Sequence, residues 1–250
     1  MRAPPVHELR HSVRAVELDA RGRMGPRALS DLLQEAASEH AALLGVGVGE
    51  LSALGIAWVL VVWRLEASRF PTWREELRVE TWPCARTERT ADRDFLLRDV
   101  SGATVARATS SWMMIDLERR RPVRLPAALR EIALAERPRA LEGGCGRPPW
   151  PGGAAASVEV ATRRADLDAS DHVRNTAYLD WLAEGFPPEL ATHGEMRSLE
   201  LSFRAEARAG ARVAVETVEE AGDGGRVLHQ RVVEPSSGRE LVLARSTFAP

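Results

Sequence analysis

LDARGRMGPRALSDLLQE, from Leu18 to Glu35, and LDASDHVRNTAYLDWLAE, from Leu167 to Glu184, are two versions of one stretch. They lie 149 residues apart (167 − 18). Leu, Asp and Ala open both. Further in, Ala28 matches Ala177, Asp31 matches Asp180, Leu33 matches Leu182 and Glu35 matches Glu184. Two more blocks recur at an offset of 136 (217 − 81). RLEASRFPTWREELRVET, ending at Thr81, matches SLELSFRAEARAGARVAVET, ending at Thr217. SGATVARATSSW, from Ser101, matches SGRELVLARSTF, from Ser237. The same blocks in the same order mark an internal duplication.

Each copy reads as a short strand, a loop, one amphipathic helix and then several strands. In the first copy, Leu29, Leu32, Leu33, Ala36, Ala37 and His40 recur at three- and four-residue spacing. That is one apolar face of a helix from Pro26 to Leu44, with Pro26 suited to its first turn. In the second copy the spacing predicts a helix from Asn175 to Glu184, with Tyr178, Trp181 and Leu182 turned inward and Pro187 and Pro188 ending it. Strand patterns follow at residues 57–68, 76–82, 92–99 and 104–116, and again at 197–203, 212–218, 227–233 and 240–247. One early helix followed by consecutive strands is an α+β plan, an antiparallel sheet wrapped around a central helix, here present twice. Residues 138–153 (PRALEGGCGRPPWPGG) are rich in Pro and Gly and lack periodicity, as a linker does. Cys145 and Trp150 are expected to be exposed within it.

The chain has 250 residues, 44% hydrophobic and 28% charged, with a net charge of −2. That is ordinary for a globular protein and gives nucleic acid no basic surface. All basic residues are arginine. Two scattered cysteines make neither a disulfide framework nor a zinc site, and fit a reducing compartment. The longest apolar run, GIAWVLVVW from Gly55 to Trp63, is too short to span a membrane and reads as a buried strand. His7 and His11 stand four apart, but with no third ligand they read as a solvated terminus. His40, on the apolar helix face, reads as a core histidine. GVGVG at 45–49 lacks the Lys-Ser/Thr of a phosphate loop and reads as a helix exit. There is no Gly-x-Ser-x-Gly nucleophile elbow.

The second copy also carries a charged constellation. In ADLDASDHVRNTAYLDWLAE, Asp168, His172, Val173, Asn175, Tyr178 and Trp181 stand at the spacing Asp-x-Asn-x-His-Val-Asn-Asn followed by Tyr and Trp. This resembles the acyl-acyl carrier protein (acyl-ACP) thioesterase family of plastids and bacteria. The family's second catalytic group is a Glu 34 positions after the His, which is Glu206 in FRAEARAG. The first copy also resembles the family, through LLQEAASEHAALLG, AWVLVVWRLEASRFPTW, ADRDFLLRD and RATSSWMMIDLERRRPVRLP. Three departures stand out. Ser170 replaces the family Asn, Arg174 replaces the first of its paired Asn residues, and Ala207 replaces a Cys.

The resemblance implies a tandem (double) hot-dog fold. Residues 1–137 form an N-terminal hot-dog domain with the acyl-chain pocket, 138–153 the linker, and 154–250 a C-terminal hot-dog domain with the catalytic residues. It implies a cytoplasmic enzyme that hydrolyses fatty acyl-ACP to free fatty acid and carrier protein, terminating fatty acid synthesis. Its partner is the acylated carrier protein, presented through phosphopantetheine. No cofactor, metal, nucleic acid or membrane span is expected, and a homodimer is compatible with the reading. A thioester carbonyl needs an activated water, oxyanion donors and little help for its thiolate leaving group. Glu206 is the candidate base, Asp168 and Ser170 position the loop or share the water, and His172 binds the thioester or protonates the sulfur. Asn175 is a substrate-binding candidate at the helix entry. Arg23 stands where His172 would be in the first copy, and Phe70 where Glu206 would be. That copy is therefore free to hold the acyl chain, with Trp58, Leu60, Trp112 and Met114 as its lining candidates. Arg119 to Arg121 with Arg124 read as a solvated face or as a contact for acidic carrier protein or pantetheine phosphate. Two other functions fit the same residues: an acyl-coenzyme A thioesterase and a non-catalytic acyl-binding protein.

Overall fold

The computed structural model describes residues 4–143, 146–153, 155–168, 172–222 and 225–250. Ser170 and Cys145 lie outside the described residues. The chain divides into two compact units, Met1–Cys145 and Gly146–Pro250.

The first unit runs β1 (His7–Ser12), α1 (Pro26–Leu43), α2 (Val48–Ala53), β2 (Ile56–Ala67), β3 (Glu76–Arg86), β4 (Thr90–Asp99), β5 (Thr104–Asp116), β6 (Arg121–Val123) and α3 (Ala127–Arg130). Its strands lie in the order β1-β3-β4-β5-β2, all antiparallel, with β6 on the end of β5. α1 packs on β3 and β1 and buries Leu29, Leu32, Leu33, Ala36, Ala37 and His40. Each fully buried leucine contributes roughly 1.5–3 kcal/mol. Trp63 on β2 and Phe95 on β4 meet at 5.4 Å, both almost fully buried.

The second unit repeats this plan: β7 (Ala156–Ala161), α4 (Ala177–Glu184), α5 (Pro188–His193), β8 (Met196–Phe203), β9 (Arg212–Gly222), β10 (Gly225–Glu234) and β11 (Arg239–Phe248). Its order, read from β7 as β7-β9-β10-β11-β8, matches β1-β3-β4-β5-β2 of the first unit strand for strand. α4 packs on β9 and β10. Each unit is an antiparallel sheet with one principal helix, so the duplication extends from sequence to topology.

Several details depart from the sequence reading. α4 begins at Ala177, not Asn175; the preceding residues form a tight turn in which Ala177 N–H donates to the Arg174 carbonyl. Gly185, rather than the prolines, ends α4. A Cβ there would meet Val215 Cγ1 at 2.7 Å and Thr217 Oγ1 at 2.9 Å, so the helix end lies against the sheet with no room for a side chain. Pro188 instead opens α5, where its missing N–H costs nothing. GVGVG is more than a helix exit. Gly45, at φ +73°, ends α1, and α2 starts at once at Val48.

His7 and His11 are not on a solvated terminus: they lie on edge strand β1. His7 Nε2 pairs with Glu39 at 3.0 Å, and His11 Nε2 with Glu17 at 2.8 Å. Trp150 is not an exposed linker residue either, since the Arg231 guanidinium stacks on its ring at 4.5 Å. In the first unit the chain just before residue 144 is anchored as well. Arg139 donates to both Asp94 oxygens (2.9 and 3.2 Å), and Arg137 stacks on Trp82 at 4.3 Å.

Candidate active site

The loop that carries His172 is built from the backbone outward. Asp166 is fully buried and receives the Arg163 backbone N–H at 2.8 Å and its guanidinium at 2.8 Å. Burial works to raise the pKa of this carboxyl, but the Arg163 hydrogen bonds prevail and hold it below the usual range. A bridge between Leu167 and Val173 follows. Within it, Asp168 N–H donates to the His172 carbonyl at 2.7 Å, and His172 N–H donates to Asp168 Oδ1 at 3.1 Å. Asp168 is exposed, whereas His172 and Asn175 are half-buried. Asp168 therefore fixes where His172 leaves the backbone.

Directly after this loop, α4 carries Tyr178, the single tyrosine of the chain. It is 2% exposed and packs between Trp181 (4.7 Å) and Phe203 (5.7 Å). Its hydroxyl accepts the Ala207 backbone N–H at 2.9 Å. Burial, with the neighbouring Glu206 carboxylate adding to it, pushes the phenol up to about 12, so it stays neutral. Glu206 is half-buried in the loop after β8 and is not a strand residue. Two further contacts hold that loop. Arg239, at the start of β11, donates to the Glu206 carbonyl at 3.1 Å, and Arg204 N–H donates to the Leu241 carbonyl at 2.8 Å. The structure thus ties the Glu206 loop to the helix that springs from the His172 loop, with Tyr178 as the clasp. The sequence reading placed Tyr178 on the inner helix face without its link to Ala207, and it missed Arg239.

The first unit shows the same scaffold without the histidine and the glutamate. Glu17 takes the place of Asp166 and binds the Arg14 backbone (2.8 Å) and guanidinium (2.6 Å). A Leu18–Met24 bridge follows. Asp19 N–H donates to the Arg23 carbonyl at 2.7 Å. Arg23 stands in the His172 position, and Phe70, 5% exposed, in that of Glu206.

The four apolar candidates of that unit lie on one sheet face, because Trp58 pairs with Met114 and Leu60 with Trp112 across β2 and β5. Met114 and Leu60 are sealed in the interior at 0% and 5% exposure, while Trp58 and Trp112 keep accessible surface. Met114 and Trp58 pack with Val46, Leu51, Leu125 and Leu129, and Trp58 donates to the Val46 carbonyl at 3.1 Å. Among the described residues, no cluster of His, Cys, Asp or Glu is placed to hold a metal ion. No described helix is long and apolar enough to cross a membrane.

Tandem units of this plan, with His172 and Glu206 in the second and Arg23 and Phe70 at their positions in the first, define the class: a double hot-dog protein. The acyl-ACP thioesterase N-terminal domain matches residues 4–133 and the C-terminal domain residues 153–250. The chain belongs to the acyl-ACP thioesterase family. It is 28% identical over 253 residues to a chloroplastic palmitoyl-acyl carrier protein thioesterase of Cuphea hookeriana. That match covers 96% of this chain and 61% of the relative, so the chain spans less than two thirds of the plant protein's length. A 12:0-ACP thioesterase structure from Umbellularia californica superposes with a TM-score of 0.87 at 25% identity, covering 98% of this chain and 94% of that one. An acyl-ACP thioesterase structure from Bacteroides thetaiotaomicron gives a TM-score of 0.86 at 23% identity, covering 98% of each, and supports the fold.

Proposed function

We propose that this protein is a thioesterase that hydrolyses fatty acyl groups from acyl carrier protein, with the chemistry in the C-terminal unit and the acyl chain held by the N-terminal unit. The observation that carries the reading is the clasp between Tyr178 and Ala207. It fixes the Glu206 loop to the helix following His172, in the one unit that retains both side chains.

In this mechanism Glu206 takes a proton from water as the water oxygen attacks the thioester carbonyl carbon. The negative charge collects on the carbonyl oxygen, facing the backbone N–H groups at the entry to α4. Collapse breaks the carbon–sulfur bond. The pantetheine sulfur leaves as a thiolate, which at a thiol pKa of about 8.5 needs little assistance, and receives its proton from His172. Products are free fatty acid and carrier-protein thiol. Asp168 closes the loop, Ser170 stands in sequence where the family has Asn, and Asn175 lies at the loop's exit toward the helix. Trp58 and Trp112, which keep accessible surface, line the chain site, backed by the buried Leu60 and Met114. The reading places the enzyme in the cytoplasm.

The test is steady-state hydrolysis of matched acyl-ACP and acyl-coenzyme A thioesters across chain lengths. A preference for the carrier-protein series supports the proposal. Faster turnover of coenzyme A thioesters makes the enzyme an acyl-coenzyme A hydrolase. The replacement of the family Asn by Ser170 favours one other reading, a protein that binds acyl chains without cleaving them. Acyl binding without turnover of either series would establish that reading instead.

A further inference from the structure

The helix-facing side of the first sheet carries one charged residue among apolar and small polar ones on its central strand. Arg93 lies on β4 between Ala91 and Phe95, paired with Pro83 on β3 and Ser110 on β5. Phe95 is fully buried against Trp63, and Ala91 packs beside Trp58 and Met114, so alternation turns Arg93 to the same face. One guanidinium nitrogen, Nη1, donates to His40 Nδ1 at 2.9 Å and to Thr81 Oγ1 at 3.2 Å. His40 Nε2 donates to the Pro4 carbonyl at 2.9 Å, which leaves Nδ1 as the acceptor. Burial first, then the Arg93 charge, lowers the imidazole to about 4, so His40 is neutral and brings no compensating charge. Protein surrounds Arg93 closely enough for burial to bring its pKa down to about 10, yet the side chain keeps some accessible surface.

Among the described residues, no carboxylate pairs with Arg93, and no acceptor meets its Nε or Nη2. A guanidinium carries five N–H donors. Two are used here and three remain, on the sheet face that Arg93 shares with Ala91 and the half-buried Trp112 paired with it. An enclosed cation without a counter-charge is costly to keep. An oxygen acceptor delivered to those donors recovers part of that cost, whereas a methylene chain laid against them recovers none.

We infer that the N-terminal unit selects acyl chains bearing an oxygen substituent away from the thioester, a hydroxyl, keto or carboxylate group that accepts hydrogen bonds from Arg93 Nε and Nη2. This rests on the thioesterase reading for the reaction but concerns the chain site alone, so binding and turnover test the two separately.

The experiment measures binding by calorimetry to S-alkyl pantetheine thioethers, which cannot be hydrolysed. The set contains one unsubstituted chain and a series in which a hydroxyl is moved along that chain to its end, with the ω-carboxyl analogue as the last member. For the wild-type protein, one position is expected to bind about tenfold or more tightly than the unsubstituted chain, the gain of a hydrogen bond to a charged donor. Arg93→Met should erase that preference and tighten binding of the unsubstituted chain. If no oxygenated member bound the wild-type protein more tightly than the unsubstituted chain, the inference would be overturned, whether or not the variant folds. Equal losses for both chain types in a folded Arg93→Met protein would overturn it too. A preference in binding with no hydrolysis of the matching thioesters would leave the inference standing and remove the proposed enzyme activity.

Discussion

Asp19 and Asp168 occupy equivalent positions in the two units and make the same contact. Each accepts, through Oδ1 at 3.1 Å, the backbone N–H of the residue four positions on, Arg23 in one unit and His172 in the other. Asp19 does so where neither the His nor the Glu is present. The shared role of this aspartate is therefore to close a loop, and in the second unit that loop delivers the histidine.

A loop-closing carboxylate needs an acceptor oxygen rather than a charge. Asp168→Asn, which keeps one, should leave turnover within a few-fold of wild type. Asp168→Ala should lose about 1 kcal/mol of stability and a larger share of kcat as His172 loses its anchor. Paired thermal melts and kcat measurements decide this. Equal damage from Asn and Ala would assign Asp168 a direct role in the reaction.

Tyr178→Phe removes the partner of the buried Ala207 N–H while retaining the ring packing against Trp181 and Phe203. The expected cost is about 1–3 kcal/mol of stability. kcat should fall more than KM rises, because the Glu206 loop is released. Unchanged kcat in a folded Tyr178→Phe protein would show that the clasp does not position the base.

His40 gives the first unit an acid sensitivity whose sign follows from its depressed pKa. Unfolded, the imidazole titrates near 6.5; folded, it does so at about 4, because of burial and the adjacent Arg93. Between those values the unfolded chain binds the proton and the folded chain does not. Stability therefore falls as pH drops through that window, by an amount on the order of 3 kcal/mol when complete. Denaturant unfolding at a series of pH values should show the decline, and His40→Gln should flatten it. An unchanged slope in the variant would contradict the assignment.

The duplication, the principal helix of each unit and nearly all the strands were legible in the sequence because each rests on local periodicity. Thr104–Asp116 reads directly as an unbroken β pattern. The short β1 was legible only as an unbounded strand, because two of its three inward positions, His7 and His11, are polar and give its alternation little hydropathy contrast. α2 was missed because the glycines that end α1 also open the next helix. Within the site, the spacing of Asp168, His172 and Glu206 was readable. The Tyr178–Ala207 clasp and the Arg239 brace were not, since each joins residues far apart in sequence through a backbone atom that no side-chain pattern reveals.

If the N-terminal unit holds the acyl chain, narrowing or opening its apolar face should move chain-length preference without abolishing hydrolysis. Trp58→Leu opens that face beside Met114. Each added methylene that becomes buried is worth about 0.8 kcal/mol, so preference should shift to longer chains by a factor of about four per methylene accommodated. The measurement is relative kcat/KM over a chain-length series. A profile that moved only with substitutions in the second unit would refute the division of labour.

The central claim is that Glu206, in the second unit alone, activates the water. Its most direct test is single-turnover release of free fatty acid from acylated carrier protein, comparing wild type with Glu206→Gln under conditions where both bind substrate fully. The Glu206→Gln protein should show a melting curve close to wild type, retained acyl binding and a cleavage rate lower by about 100-fold or more. Near-wild-type cleavage by the folded Glu206→Gln protein would contradict that claim.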